Sequence, residues 1–88
     1  MDLSAWRARI DTVDQILMEL LNRRMEYALE IGKIKRAHGR QVYDAEREKA
    51  LLDKLKTYNK GPFSDEAIIQ IFTCIILEAR KLEEMQNP

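Results

Sequence analysis

At 88 residues the chain is one domain at most, and a domain of this size buries only about 60 to 65% of its unfolded surface, so a lone monomer would be marginally stable. Hydrophobic content of 45% with three glycines and two prolines argues against disorder and for a compact, regular fold helped by a partner chain. Fifteen basic and fifteen acidic residues cancel, which gives no support to nucleic acid or an anionic membrane as partner; any bound anion must be small and locally recognised.

The N-terminal stretch MDLSAWRARID lacks the apolar core of a signal peptide, and the apolar run from Cys74 to Leu77 is too short to span a bilayer, so a cytoplasmic protein is expected. Cys74 is the single cysteine and His38 the single histidine. No internal disulfide can form, and no metal site is expected.

The first predicted element is a long helix over about residues 3–38. Apolar residues recur at alternating steps of three and four through Leu3, Trp6, Ile10, Val13, Leu17 and Leu20, and the same register continues through Arg24, Tyr27, Ile31, Ile34 and His38. Asp2 or Ser4 can cap its start, and Gly39 can end it in a left-handed turn. At 1.5 Å per residue such a helix is a rod of roughly 50 Å, longer than a globule of this size is wide. A second helix, about residues 44–58, starts with Asp44 as N-cap and turns Leu51, Leu52 and Leu55 inward. The linker NKGPF interrupts the chain before Ser64 caps a third helix that runs to about residue 85. Its apolar stripe is Ile68, Phe72, Ile75, Ala79 and Leu82. No strand pattern or internal repeat is present. The predicted fold class is therefore all-α, with three helices of unequal length. Because the long helix leaves half its seam uncovered within one chain, the expected assembly is an intertwined homodimeric bundle.

Several charges sit where apolar residues are expected. Arg24 occupies a seam position, and a buried arginine needs a partner. Lys35 follows eleven residues later on the same face, roughly 16 Å along the axis, so the two side chains can converge on one small ligand. Asp44, Arg47 and Glu48 share a face of the second helix that continues into Leu51. Glu83 extends the line of Phe72, Ile76 and Ala79 on the third. Arg7 lies about 25 Å before Arg24 on the same rod and cannot share its ligand within one chain. In an antiparallel dimer, however, it could complete the partner's site. The ordinary explanation of one such charge is a surface ion pair. Asp44 is sufficiently explained as a cap, whereas Glu48 has Asp44, Ala45, Leu51 and Leu52 at helical spacing and hence no local cation. His38 is read as lying near a helix end, where a cation is favoured, and not as a ligand, Cys74 as a small buried hydrophobe, and Met18, Met25 and Tyr27 as core or near-core filler.

The segments WRARIDTVDQILMELLNRRMEYALEIGKIK, VYDAERE and IFTCIILEARKLEE resemble the all-helical chorismate mutase family, a likeness that extends from about Leu3 to Glu84. It is specific because six charged positions, Arg7, Arg24, Lys35, Asp44, Arg47 and Glu48, recur at the family's spacing. The resemblance implies an intertwined dimer with one mutase domain over residues 1–88, converting chorismate to prephenate in phenylalanine and tyrosine biosynthesis without a cofactor. It further implies that Arg24 and the partner's Arg7 pair with the substrate's carboxylates, and that Lys35 contacts a carboxylate and the ether oxygen. By the same resemblance Asp44 and Glu48 would hold the ring hydroxyl, and Arg47 would support the acids and the carboxylate side. The implied catalytic residues are Lys35, Glu83 and Arg24.

Two positions depart from the family pattern: Glu83 stands where many members have glutamine, and Ala79 where they have serine. An ionised Glu83 would repel a developing oxyanion, so a raised pKa through burial is expected there. Loss of the serine weakens substrate-carboxylate binding. Alternatives consistent with the same residues are an isochorismate-pyruvate lyase and a weakly active regulatory domain fused to, or associated with, a shikimate-pathway enzyme. A plain dimerisation coiled coil predicts that no dianion binds and that Arg24→Ala stabilises the dimer or leaves it unchanged.

Overall fold

A computed structural model describes residues 2–86. It contains three helices, α1 (Leu3–Ala37), α2 (Ala45–Tyr58) and α3 (Asp65–Met85), and no strand among the described residues. Each helix begins on a side chain that accepts a backbone N–H otherwise lacking a partner. Asp2 takes Ala5 N at 2.9 Å, Asp44 takes Arg47 N at 3.0 Å, and Ser64 takes Ala67 N at 3.1 Å. The end of α1 is closed by paired bonds, Arg40 N to Lys35 O at 2.7 Å and Gly39 N to Arg36 O at 3.1 Å. That closure requires the left-handed backbone of Gly39, φ 67°. Between α2 and α3 the Asn59 side chain holds the loop, donating to Phe63 O and Asp65 Oδ1 and accepting from Gly61 N.

α3 is the central element. It packs on both α1 and α2, whose backbones do not approach each other closely. The most buried residues lie along the α1–α3 seam: Ala28 and Gly32 from one side, Ile76, Ala79 and Glu83 from the other. Gly32 suits this close approach, since a Cβ there would sit 3.1 Å from Glu83 Cγ, a tight contact. Leu51, Leu52 and Leu55 of α2 are half-buried.

The chain measures 55 × 26 × 15 Å, a shape set by α1. Among residues 3–20 only Ala5 is not exposed, and Trp6, Ile10, Val13 and Leu20 each retain more than half of their accessible surface. Such a continuous apolar stripe exceeds what a stable monomer ordinarily shows.

Some sequence expectations do not hold in the single chain. Cys74 is exposed, not buried. It lies two residues before Ile76, about 200° around the helix, which turns it away from the α1–α3 seam. Met18 and Tyr27 are likewise exposed, Met25 is half-buried, and only Ala28 and Gly32 of α1 are buried. No helix of the described residues is long and apolar enough to cross a membrane.

Candidate active site

A cavity of about 440 Å³ opens where the second half of α1, the start of α2 and the second half of α3 meet. α1 contributes Arg24 and Lys35, α2 contributes Asp44, Arg47 and Glu48, and α3 contributes Ala79, Arg80 and Glu83. All the positions named from the sequence except Arg7 therefore border one space. Arg7 is exposed near the start of α1, in a shallow groove with Asp2, Ser4 and Asp11.

Local geometry explains how charges of both signs come together. Helical spacing puts Arg24 and Lys35 three turns apart on one face of α1. Gly39 then ends that helix, and within a few residues Asp44 starts the next, bringing acids opposite the cations. Lys35 Nζ donates to Val42 O at 2.9 Å, tethering its ammonium to the connecting loop. An ammonium has three N–H donors, so two remain for a ligand.

Glu48 is answered by Arg80, a residue the sequence reading passed over. Arg80 Nη2 donates to Glu48 Oε1 at 2.8 Å and to Oε2 at 2.7 Å, and its guanidinium lies 4.2 Å from the Tyr43 ring centroid. Two signals for it were available. Glu48 lacks a cation on its own helix, and Arg80 follows Ile76 by four residues and precedes Glu83 by three, on the inward face of α3.

Glu83 is the one buried charged residue among the described side chains, 7% exposed. Burial pushes its carboxyl above the ordinary value of 4.5, opposed by the nearby charges of Lys35, Arg36 and Arg24 and assisted by Glu84. It therefore keeps its proton to higher pH than an exposed glutamate. Arg36 secures the adjacent backbone: Nη1 donates to Glu83 O at 3.0 Å and Nη2 to Gln86 Oε1 at 3.1 Å.

The lining contains neither cysteine nor histidine. Chemically, the arrangement suits recognition of a compact anion bearing a hydroxyl: cations on α1 and α2, acceptors at the start of α2, and one buried carboxyl that holds its proton more tightly than an exposed one.

Known proteins resemble the chain over most of its length. The chain is 38% identical over 77 residues, 88% of its length and 21% of the relative's, to a bifunctional chorismate mutase/prephenate dehydratase of Neisseria gonorrhoeae. It is 40% identical over 75 residues, 84% of its length and 19% of the relative's, to the Escherichia coli protein of the same name. It thus spans about a fifth of the length of these curated relatives. A solved chorismate mutase (Form II) from Thermus thermophilus superposes with a TM-score of 0.94 at 35% identity, covering 98% of both chains. Form I of that protein gives 0.85 at 34% identity, covering 88% of this chain and 96% of the other. The sequence profile of the family Chorismate mutase type II matches residues 6–84, and the chain belongs to that family.

Proposed function

We propose that this chain is a chorismate mutase that rearranges chorismate to prephenate, working in the cytoplasm as one half of an intertwined homodimer. The observation that carries the proposal is the one cavity lined by Arg24 and Lys35 of α1, by Asp44 and Glu48 of α2, and by buried Glu83 of α3, whose pKa is raised by burial. Chorismate is a small dianion with a ring hydroxyl, which accounts for both signs of charge.

The reaction is an intramolecular Claisen rearrangement: the C–O ether bond breaks as a C–C bond forms, with no nucleophile and no proton transfer. Catalysis then consists of holding the compact chair conformer and stabilising negative charge that develops on the ether oxygen. Arg24 fits one carboxylate through its planar fork. Lys35, already tethered to Val42 O, presents its remaining donors to a carboxylate and the ether oxygen. Protonated Glu83 donates to that same oxygen. Asp44 and Glu48 accept from the ring hydroxyl, and Arg47 supports these acids and the carboxylate side. Ala79 offers no hydroxyl, which raises KM.

The second carboxylate is assigned to Arg7 of the partner subunit. Within one chain Arg7 stands about 25 Å from Arg24 along α1. Pairing two α1 helices head to tail covers the exposed apolar stripe and brings the start of one rod to the middle of the other. A fused or associated shikimate-pathway enzyme is the proposed consumer of the product, in line with the bifunctional names of the relatives.

The test is chorismate consumption by the wild type and Arg24→Ala, with sedimentation of both. The wild type should turn over chorismate, and Arg24→Ala should lose about 100-fold or more in kcat/KM while remaining dimeric. An inactive wild type, or a fully active Arg24→Ala, overturns the proposal.

A further inference from the structure

We propose that Arg80 is a positioning residue for Glu48, holding its carboxylate ready for the ring hydroxyl and offsetting its charge so that the cavity tolerates a dianion. This inference rests on the mutase reading. Its starting point is an electrostatic difficulty: an acid that accepts from the substrate's hydroxyl also repels the substrate's carboxylates. A cation fixed to that acid relieves the repulsion while leaving acceptor capacity. Arg80 has this arrangement. One nitrogen, Nη2, bridges both oxygens of Glu48. A carboxylate has about four lone-pair sites, so about two stay available for a hydroxyl.

The guanidinium is itself oriented. Tyr43 lies under it at 4.2 Å, and Arg80 Nε is buried without a hydrogen-bond partner. The placement of Arg80 is governed by Glu48 and Tyr43. Among the described residues this is also the one ion pair that joins two helices; the other three are exposed i,i+3 pairs within a helix.

A merely structural clamp between α2 and α3 would use the same contacts, and kinetics separate the two roles. Chorismate turnover is measured for Arg80→Met in the wild-type and Glu48→Gln backgrounds, with thermal melting of each. Hydroxyl binding is made in ground and transition states alike, so Arg80→Met should raise KM about tenfold with little change in kcat. In the Glu48→Gln background the same substitution should alter KM less than about twofold, because nothing remains to be positioned. Arg80→Lys, which keeps the charge without the planar guanidinium that lies over Tyr43, should recover part of the loss. If Arg80→Met does not fold, Tyr43→Leu removes the platform and should raise KM about threefold, again only when Glu48 is present. An unchanged KM, or equal KM increases in both backgrounds with only Tm lowered, overturns the positioning role while leaving the mutase reading intact. Absence of chorismate turnover in the wild type removes the mutase reading, and this inference with it.

Discussion

Glu83 concentrates the consequences of burial in one side chain. Its carboxyl is desolvated between α1 and α3 and titrates above 4.5. In the proposed mechanism the protonated form would donate to the ether oxygen and the ionised form would repel it, so kcat/KM should fall as pH rises through the raised pKa. Glu83→Gln, which donates at every pH, should flatten that limb; an identical profile in both proteins contradicts this role. The stability linkage has the same direction. The folded state holds this proton more tightly than the unfolded state, so Glu83's contribution is present at low pH and declines from the unfolded value through the raised one. Gly32 is tied to the same group. Alanine is intrinsically better in a helix interior by about 1 kcal/mol, but its Cβ would lie 3.3 Å from Glu83 Cβ, an atom that moves only with the α3 backbone. Overpacking of this kind costs about 1–3 kcal/mol. Gly32→Ala should therefore lower Tm despite its helix propensity, and a raised Tm in thermal melting contradicts the packing described for this seam.

At the scale of elements, α3 ends without a basic residue of its own in its last turn, and Arg36 of α1 supplies the cation. Losing its two hydrogen bonds in Arg36→Ala should destabilise the fold by about 1–3 kcal/mol, read as a lower Tm; an unchanged Tm contradicts the capping role. Neither this contact nor the Lys35–Val42 tether was legible in the sequence, because each depends on the path of the backbone after a helix end. The helices themselves were legible, since their signals are local: Asp2, Asp44 and Ser64 as caps, Gly39 as terminator, and heptad spacing along α1. The grouping of Arg24 with Lys35 followed from helical period alone. Facing between elements was harder to read. Cys74 turned outward because the inward arc of α3 runs through Ile76, Ala79 and Glu83. Arg80 escaped notice because its reason for being there, Glu48, lies on another helix.

For the whole molecule, the decisive feature is a rod whose first half covers nothing. Leu3, Trp6, Ile10, Val13 and Leu20 stand exposed in the single chain, while Arg7 lies remote from the cavity that Arg24 borders. The proposed intertwined homodimer would account for both features and would make each site a product of two chains. Subunit complementation tests this most directly. Arg7→Ala and Arg24→Ala chains, each nearly inactive alone, are unfolded together in equal amounts and refolded, and chorismate turnover is measured. If Arg7 acts across the interface, half the dimers are mixed and each mixed dimer has one intact site, so activity should return to about a quarter of wild type. If Arg7 and Arg24 serve the same chain, no intact site can form, and activity that stays at the level of the separate variants contradicts the shared site.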